Sequence, residues 1–155
     1  MLLKGEKAVD FSLFGTDLQA YRLNSYFGKK VVLVFYPGAF TSVCQKELCT
    51  FRDSLANFER LDAQILGISV DGPFANRAFK DQNSLSFPLL SDLGGEVSRF
   101  YGGVHEDFAG VKGLTVSKRA VFILDKEGKI SYSWVSDDPK IEPNYSEIRE
   151  QLEKI

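Results

Sequence analysis

Apolar residues recur along the chain at two alternating periods, and these predict its elements. Val31-Val32-Leu33-Val34-Phe35-Tyr36 is an unbroken apolar, β-branched run, the pattern of a strand buried on both faces. After it, Cys44, Leu48, Phe51, Leu55 and Phe58 follow at spacings of four, three, four and three. That stripe predicts a helix from Thr41 to about Leu61. Gln64 to Val70 reads as a second buried strand and Phe74 to Asn83 as a helix. Phe87-Pro88-Leu89-Leu90 is a short extended segment, Gly95 to Tyr101 a short helix, and Gly102 to Lys118 a loop. Ala120 to Leu124 and Ile130 to Val135 flank the turn Asp125-Lys126-Glu127-Gly128-Lys129 and predict a hairpin. Tyr145, Ile148, Leu152 and Ile155 mark an amphipathic C-terminal helix. Near the start, Val9 to Leu13 and Leu18 to Leu23 predict an N-terminal β-hairpin around Phe14-Gly15-Thr16-Asp17.

Strand, helix, strand with buried strands implies a parallel section of sheet covered by helices, and the late hairpin adds antiparallel strands. The expected fold is α/β: a mixed central β-sheet flanked by helices, one domain over residues 1–155. The length suits a single core. Hydrophobic residues at 44% and charged residues at 26% exclude a disordered chain, a collagen-like chain and a disulfide-dense mini-domain. A net charge of −2 without a basic stripe argues against nucleic acid as partner. The longest apolar run falls well short of the roughly 18–20 residues that span a bilayer, so no membrane role is expected. The opening Met1-Leu2-Leu3-Lys4-Gly5-Glu6-Lys7 has no signal-peptide pattern, which makes the cytoplasm the expected location and leaves the cysteines reduced.

Composition says little about chemistry; the stretch from Phe35 to Cys49 says more. It joins a buried strand to a helix, where open α/β sheets bind their ligands. Thr41 is a natural N-cap, which makes Cys44 the third helical residue; Ser42 with Gln45 offers an alternative cap one residue later. Either way Cys44 lies in the first turn, near unpaired N–H groups and the positive end of the helix dipole. Both favour thiolate over thiol. On periodicity alone, Cys44 reads equally as a small hydrophobe heading the core stripe. Cys49 lies about 140° further round the helix and off that stripe, where an incidental helix residue is the better reading. A zinc site would need carboxylates beside the two cysteines and the lone His105, so no metal is expected. His105, in a loop beside Glu106 and Asp107, gives no support for a Cys–His dyad.

Pro37-x-x-x-Thr41-x-x-Cys44 resembles the peroxiredoxin active-site motif, and Cys49 five positions on resembles the PrxQ, or bacterioferritin-comigratory-protein, subgroup. Val9-Asp10-Phe11-Ser12-Leu13, Phe87-Pro88-Leu89-Leu90-Ser91-Asp92 and Arg119-Ala120-Val121-Phe122-Ile123-Leu124-Asp125 resemble further family segments, in order, over nearly the whole chain. The resemblance implies a thioredoxin-like fold and a thiol-dependent peroxidase that reduces hydrogen peroxide and organic hydroperoxides. Cys44 would be the peroxidatic nucleophile, passing through a sulfenic acid, and Cys49 the resolving cysteine that closes an intramolecular disulfide. Thr41 would hydrogen-bond thiolate and peroxide, Arg119 would stabilise the thiolate and the charge developing on the O–O bond, and Pro37 would shield the sulfur. Glu47 would help orient Arg119. No cofactor is implied. The partner would be a thioredoxin- or glutaredoxin-like reductant, and the expected state a monomer or a weak homodimer. Two other readings stay open: a one-cysteine peroxidase resolved by an external thiol, and a redox-sensing or holdase module.

Overall fold

In the computed structural model, which describes all 155 residues, the strands are β1 (Ser12–Gly15), β2 (Ala20–Arg22), β3 (Lys30–Phe35), β4 (Ala63–Ser69), β5 (Leu89–Ser91), β6 (Val104–His105), β7 (Val116–Ser117), β8 (Arg119–Leu124) and β9 (Ile130–Ser136). The α-helices are α1 (Ser42–Asp53), α2 (Leu55–Arg60), α3 (Pro73–Gln82), α4 (Glu96–Tyr101) and α5 (Tyr145–Glu153). β3 is an interior strand, next to the central β4, of a seven-stranded sheet ordered β2-β1-β5-β4-β3-β8-β9. It pairs parallel with β4 and antiparallel with β8, and β4 pairs parallel with β5.

Alternate residues of β3 serve two cores, because successive side chains leave a strand on opposite faces. Val32 and Val34 join Cys44, Leu48, Phe51, Phe58, Phe79, Ile148 and Leu152 on one side. Val31, Leu33 and Phe35 join Leu66, Ile68, Tyr101 and Phe122 on the other. With both faces buried there is no polar side, hence the unbroken apolar run. The mixed sheet flanked by helices matches the expected architecture. No helix is long and apolar enough to cross a membrane.

Three expectations need correction. The single helix from Thr41 to about Leu61 is two helices, broken at Ser54 (φ −96°, ψ 0°), whose N–H reaches the Thr50 and Phe51 carbonyls. Asp53 and Ser54 are weak helix formers that compete for backbone hydrogen bonds. The break left no mark on the pattern because Phe51 and Phe58, seven residues apart, still pack together with ring centroids 5.8 Å apart. The N-terminal hairpin lies further along than expected, with its turn at residues 16–19. Asp17 sets that turn, its carboxylate accepting from the Gln19 N–H and the Tyr21 hydroxyl. The stretch from Gly102 to Lys118 is not all loop: β6 and β7 pair within it, His105 opposite Val116.

Candidate active site

The end of β3 leads into α1 through Tyr36 to Thr41. This turn is pinned from the next parallel strand: the Asp71 carboxylate, just past β4, accepts the Ala39 N–H at 2.7 Å and the Ser69 hydroxyl at 2.9 Å. Phe40 adopts the left-handed backbone (φ 65°), which costs a non-glycine residue about 1–3 kcal/mol. Its ring packs edge-on against the buried Phe79 of α3, centroids 5.3 Å apart, and that contact offsets part of the strain. Thr41 then takes the N-cap position with extended backbone. Its hydroxyl does not cap; it donates to the Gly38 carbonyl at 3.0 Å.

Cys44 is in the first turn of α1, fully buried. Arg119, the first residue of β8, is 1% exposed, and each guanidinium nitrogen has a partner. Nη2 donates to Cys44 Sγ at 3.1 Å, Nη1 to Glu47 Oε1 at 2.9 Å, and Nε to the Pro139 carbonyl at 3.0 Å. Glu47 sits one turn beyond Cys44 on α1, so residues three apart on one helix grip the same arginine. Burial pushes the Glu47 carboxyl up to about 7, against the pull of Arg119. Burial also opposes the Arg119 charge, but Glu47 and Cys44 outweigh it and leave the guanidinium above its ordinary value.

An open cavity of about 200 Å³ reaches Arg119. Pro37, Thr41, Val43, Phe108, Pro139 and Lys140 line it, with Arg119 at its base. The structure thus groups Cys44, Glu47 and Arg119 by direct contact and sets Pro37 and Thr41 at the entrance. Cys49 stands apart: both cysteines are free, and its Sγ faces the Asn83 carboxamide oxygen at 3.7 Å. A buried thiol against a fixed guanidinium, beneath a small entrance, can attack a small electrophile while larger reagents are excluded.

Sequence reading did not find Asp71, Asn83, Phe108 or the Pro139 carbonyl. Asp71 left one usable signal, a carboxylate just past the end of a parallel strand. The Pro139 carbonyl left none, since backbone acceptors have no residue code.

The chain is similar to known proteins over most of its length. The AhpC/TSA family profile matches residues 4–133. The chloroplastic 2-cysteine peroxiredoxin of Chattonella marina var. antiqua is 40% identical over 144 residues, covering 86% of this chain and 70% of the relative. The chloroplastic peroxiredoxin Q of Oryza sativa subsp. japonica is 38% identical over 83% of this chain, which spans 57% of that relative's length. The crystal structure of peroxidoxin BcpB from Mycobacterium tuberculosis superposes with a TM-score of 0.88 at 29% identity, over 100% of this chain and 99% of that one. Motif, fold and sequence identity converge, and the chain belongs to the AhpC/TSA family, the peroxiredoxins, which are thiol-dependent peroxidases.

Proposed function

We propose that Cys44 is the residue at which this peroxidase reduces hydrogen peroxide and organic hydroperoxides, and that Cys49 resolves the product as an internal disulfide. The observation that carries the reading is the 3.1 Å contact between Arg119 Nη2 and Cys44 Sγ in a buried site. Arginine stays charged at any working pH, and its fork holds a plane when each arm is bonded. Glu47 and Pro139 fix that plane, so the positive charge meets the sulfur without reorganising.

The Cys44 thiolate attacks one peroxide oxygen. An S–O bond forms, the O–O bond breaks, and the departing oxygen takes a proton and leaves as water or alcohol. Sulfur is oxidised to sulfenic acid. Arg119 would meet the negative charge that develops on the departing oxygen, and the Thr41 hydroxyl, which donates to the Gly38 carbonyl, would leave that carbonyl to donate to the bound peroxide. The Cys49 sulfur then attacks the sulfenic sulfur; an S–S bond forms, and the hydroxyl departs as water with the Cys49 proton. A dithiol of the thioredoxin or glutaredoxin type takes up the disulfide and restores both thiols.

Both cysteines lie on α1. Five residues of α-helix put their Cα atoms about 8.6 Å apart, from a rise of about 7.5 Å and a turn of about 140° on a ~2.3 Å radius. A disulfide needs about 4.4–6.8 Å. The first turns of α1 therefore unwind before resolution. We further propose that the chain works in the cytoplasm, as a monomer or a weak homodimer, which sedimentation at several protein concentrations tests. The mass of the protein after one equivalent of peroxide tests the chemistry. Loss of two hydrogens supports an internal disulfide; a persistent gain of one oxygen replaces it with resolution by an external thiol.

A further inference from the structure

Asn83 caps the C-terminus of α3 and is 7% exposed. Its carboxamide oxygen accepts from Gln45 Nε2 at 2.9 Å and from Cys49 Sγ at 3.7 Å. Its backbone carbonyl accepts from Arg52 Nη1 at 2.6 Å. Its own Nδ2 donates to the Phe79 carbonyl at 2.9 Å, which fixes the side chain. Gln45, Cys49 and Arg52 are spaced four and three residues apart, so they form one face of α1. That face is distinct from the apolar stripe of Cys44, Leu48 and Phe51 buried on the sheet. One residue therefore grips the polar side of the helix that carries both cysteines.

Two of these three ties lie within the segment that unwinds. Neither the Gln45 nor the Cys49 hydrogen bond survives if Cys49 is to reach Cys44. We propose that Asn83 is a positioning residue for resolution: its carboxamide holds Gln45 and Cys49 in the helix and so sets how long the Cys44 sulfenic acid persists. The inference rests on Cys49 as the resolving cysteine. While the sulfenic acid persists, a second peroxide can oxidise it to sulfinic acid, so the same tie sets susceptibility to inactivation by excess peroxide.

The test mixes the full chain rapidly with one equivalent of hydrogen peroxide, quenches with a thiol alkylator and follows the masses in time. Asn83→Ala is compared with Asn83→Asp, which retains the acceptor oxygens, and with Gln45→Met, which removes the Gln45 hydrogen bond to Asn83 from its exposed end and leaves Asn83 in place. Sulfenic acid should form at the wild-type rate in all three. The disulfide should form about tenfold faster in Asn83→Ala, equivalent to about 1.4 kcal/mol, and about threefold faster in Gln45→Met, with Asn83→Asp returning toward wild type. Under excess peroxide, Asn83→Ala and Gln45→Met should accumulate less sulfinic acid. Disulfide formation at the wild-type rate in both Asn83→Ala and Gln45→Met overturns the proposal, as does equal slowing of both steps. If Asn83→Ala fails to fold, Gln45→Met decides alone. A wild-type protein that forms no Cys44–Cys49 disulfide removes the resolving role itself, and the proposal with it.

Discussion

Each nitrogen of Arg119 has one acceptor, and the three acceptors differ in kind: a sulfur, a carboxylate and a backbone carbonyl. Replacing Arg119 with alanine removes the only cation in contact with Cys44. The rate of peroxide reduction should then fall about 10²-fold, as for loss of one oxyanion donor. A stopped-flow rate checks this; if it is unchanged, Arg119 has no part in the reaction. Cys44→Ser should abolish turnover with the fold intact, since serine is nearly isosteric but is not ionised near neutral pH. Circular dichroism and a peroxide-consumption assay read the two halves of that prediction. At this scale the sequence was uneven. The place of Cys44 followed from a buried run, a capping residue and a helical stripe. The partnership with Arg119 did not, because 75 residues separate the two and no spacing rule spans that distance; only the family resemblance pointed to it.

α1 carries Cys44, Glu47 and Cys49, and its first turn has the fewest internal hydrogen bonds. Hydrogen exchange should therefore quicken on oxidation across roughly residues 40 to 51, and this change should vanish in Cys49→Ser. Full protection throughout a helix bearing the internal disulfide would contradict the unwinding. A second element-scale prediction concerns β4. A Cβ built on Gly67 would lie 2.6 Å from a Leu89 side-chain atom, so the strand makes room there for its neighbour. Gly67→Ala should destabilise the protein by about 1–3 kcal/mol, the usual range for overpacking, as read from the denaturant midpoint. Elements were largely readable because buried strands and amphipathic helices announce their periods. The break at Ser54 was not, since the stripe from Phe51 to Phe58 keeps phase through it.

For the whole molecule, Glu47 adds a dependence on pH. Its folded carboxyl titrates near 7, against an ordinary value of 4.5. The folded state therefore holds this proton more firmly than the unfolded chain does. The stabilisation is complete below about 4.5 and is lost as pH rises toward about 7. Glu47→Gln cannot ionise, so wild type should lose stability relative to this variant across that window, on the order of 1–3 kcal/mol. Chemical unfolding of both proteins at the two ends of the window measures it; parallel curves would show that Glu47 remains ionised throughout.

The antiparallel pairing of β8 with β3 matters beyond its hydrogen bonds. Phe35, the last residue of β3, lies opposite Ala120, and Arg119 comes just before it. The ladder thus works as a ruler: it delivers residue 119 to the point where β3 hands over to the thiol-bearing helix. Sliding β8 by one residue would turn its whole side-chain set to the opposite face. The arginine would then point into the Phe35, Leu66 and Tyr101 core, away from the sulfur. Catalytic competence is therefore encoded in strand registration as much as in the residues of the site. An insertion remote from the opening, anywhere that shifts this ladder, would silence the enzyme while every residue of the motif stayed in place.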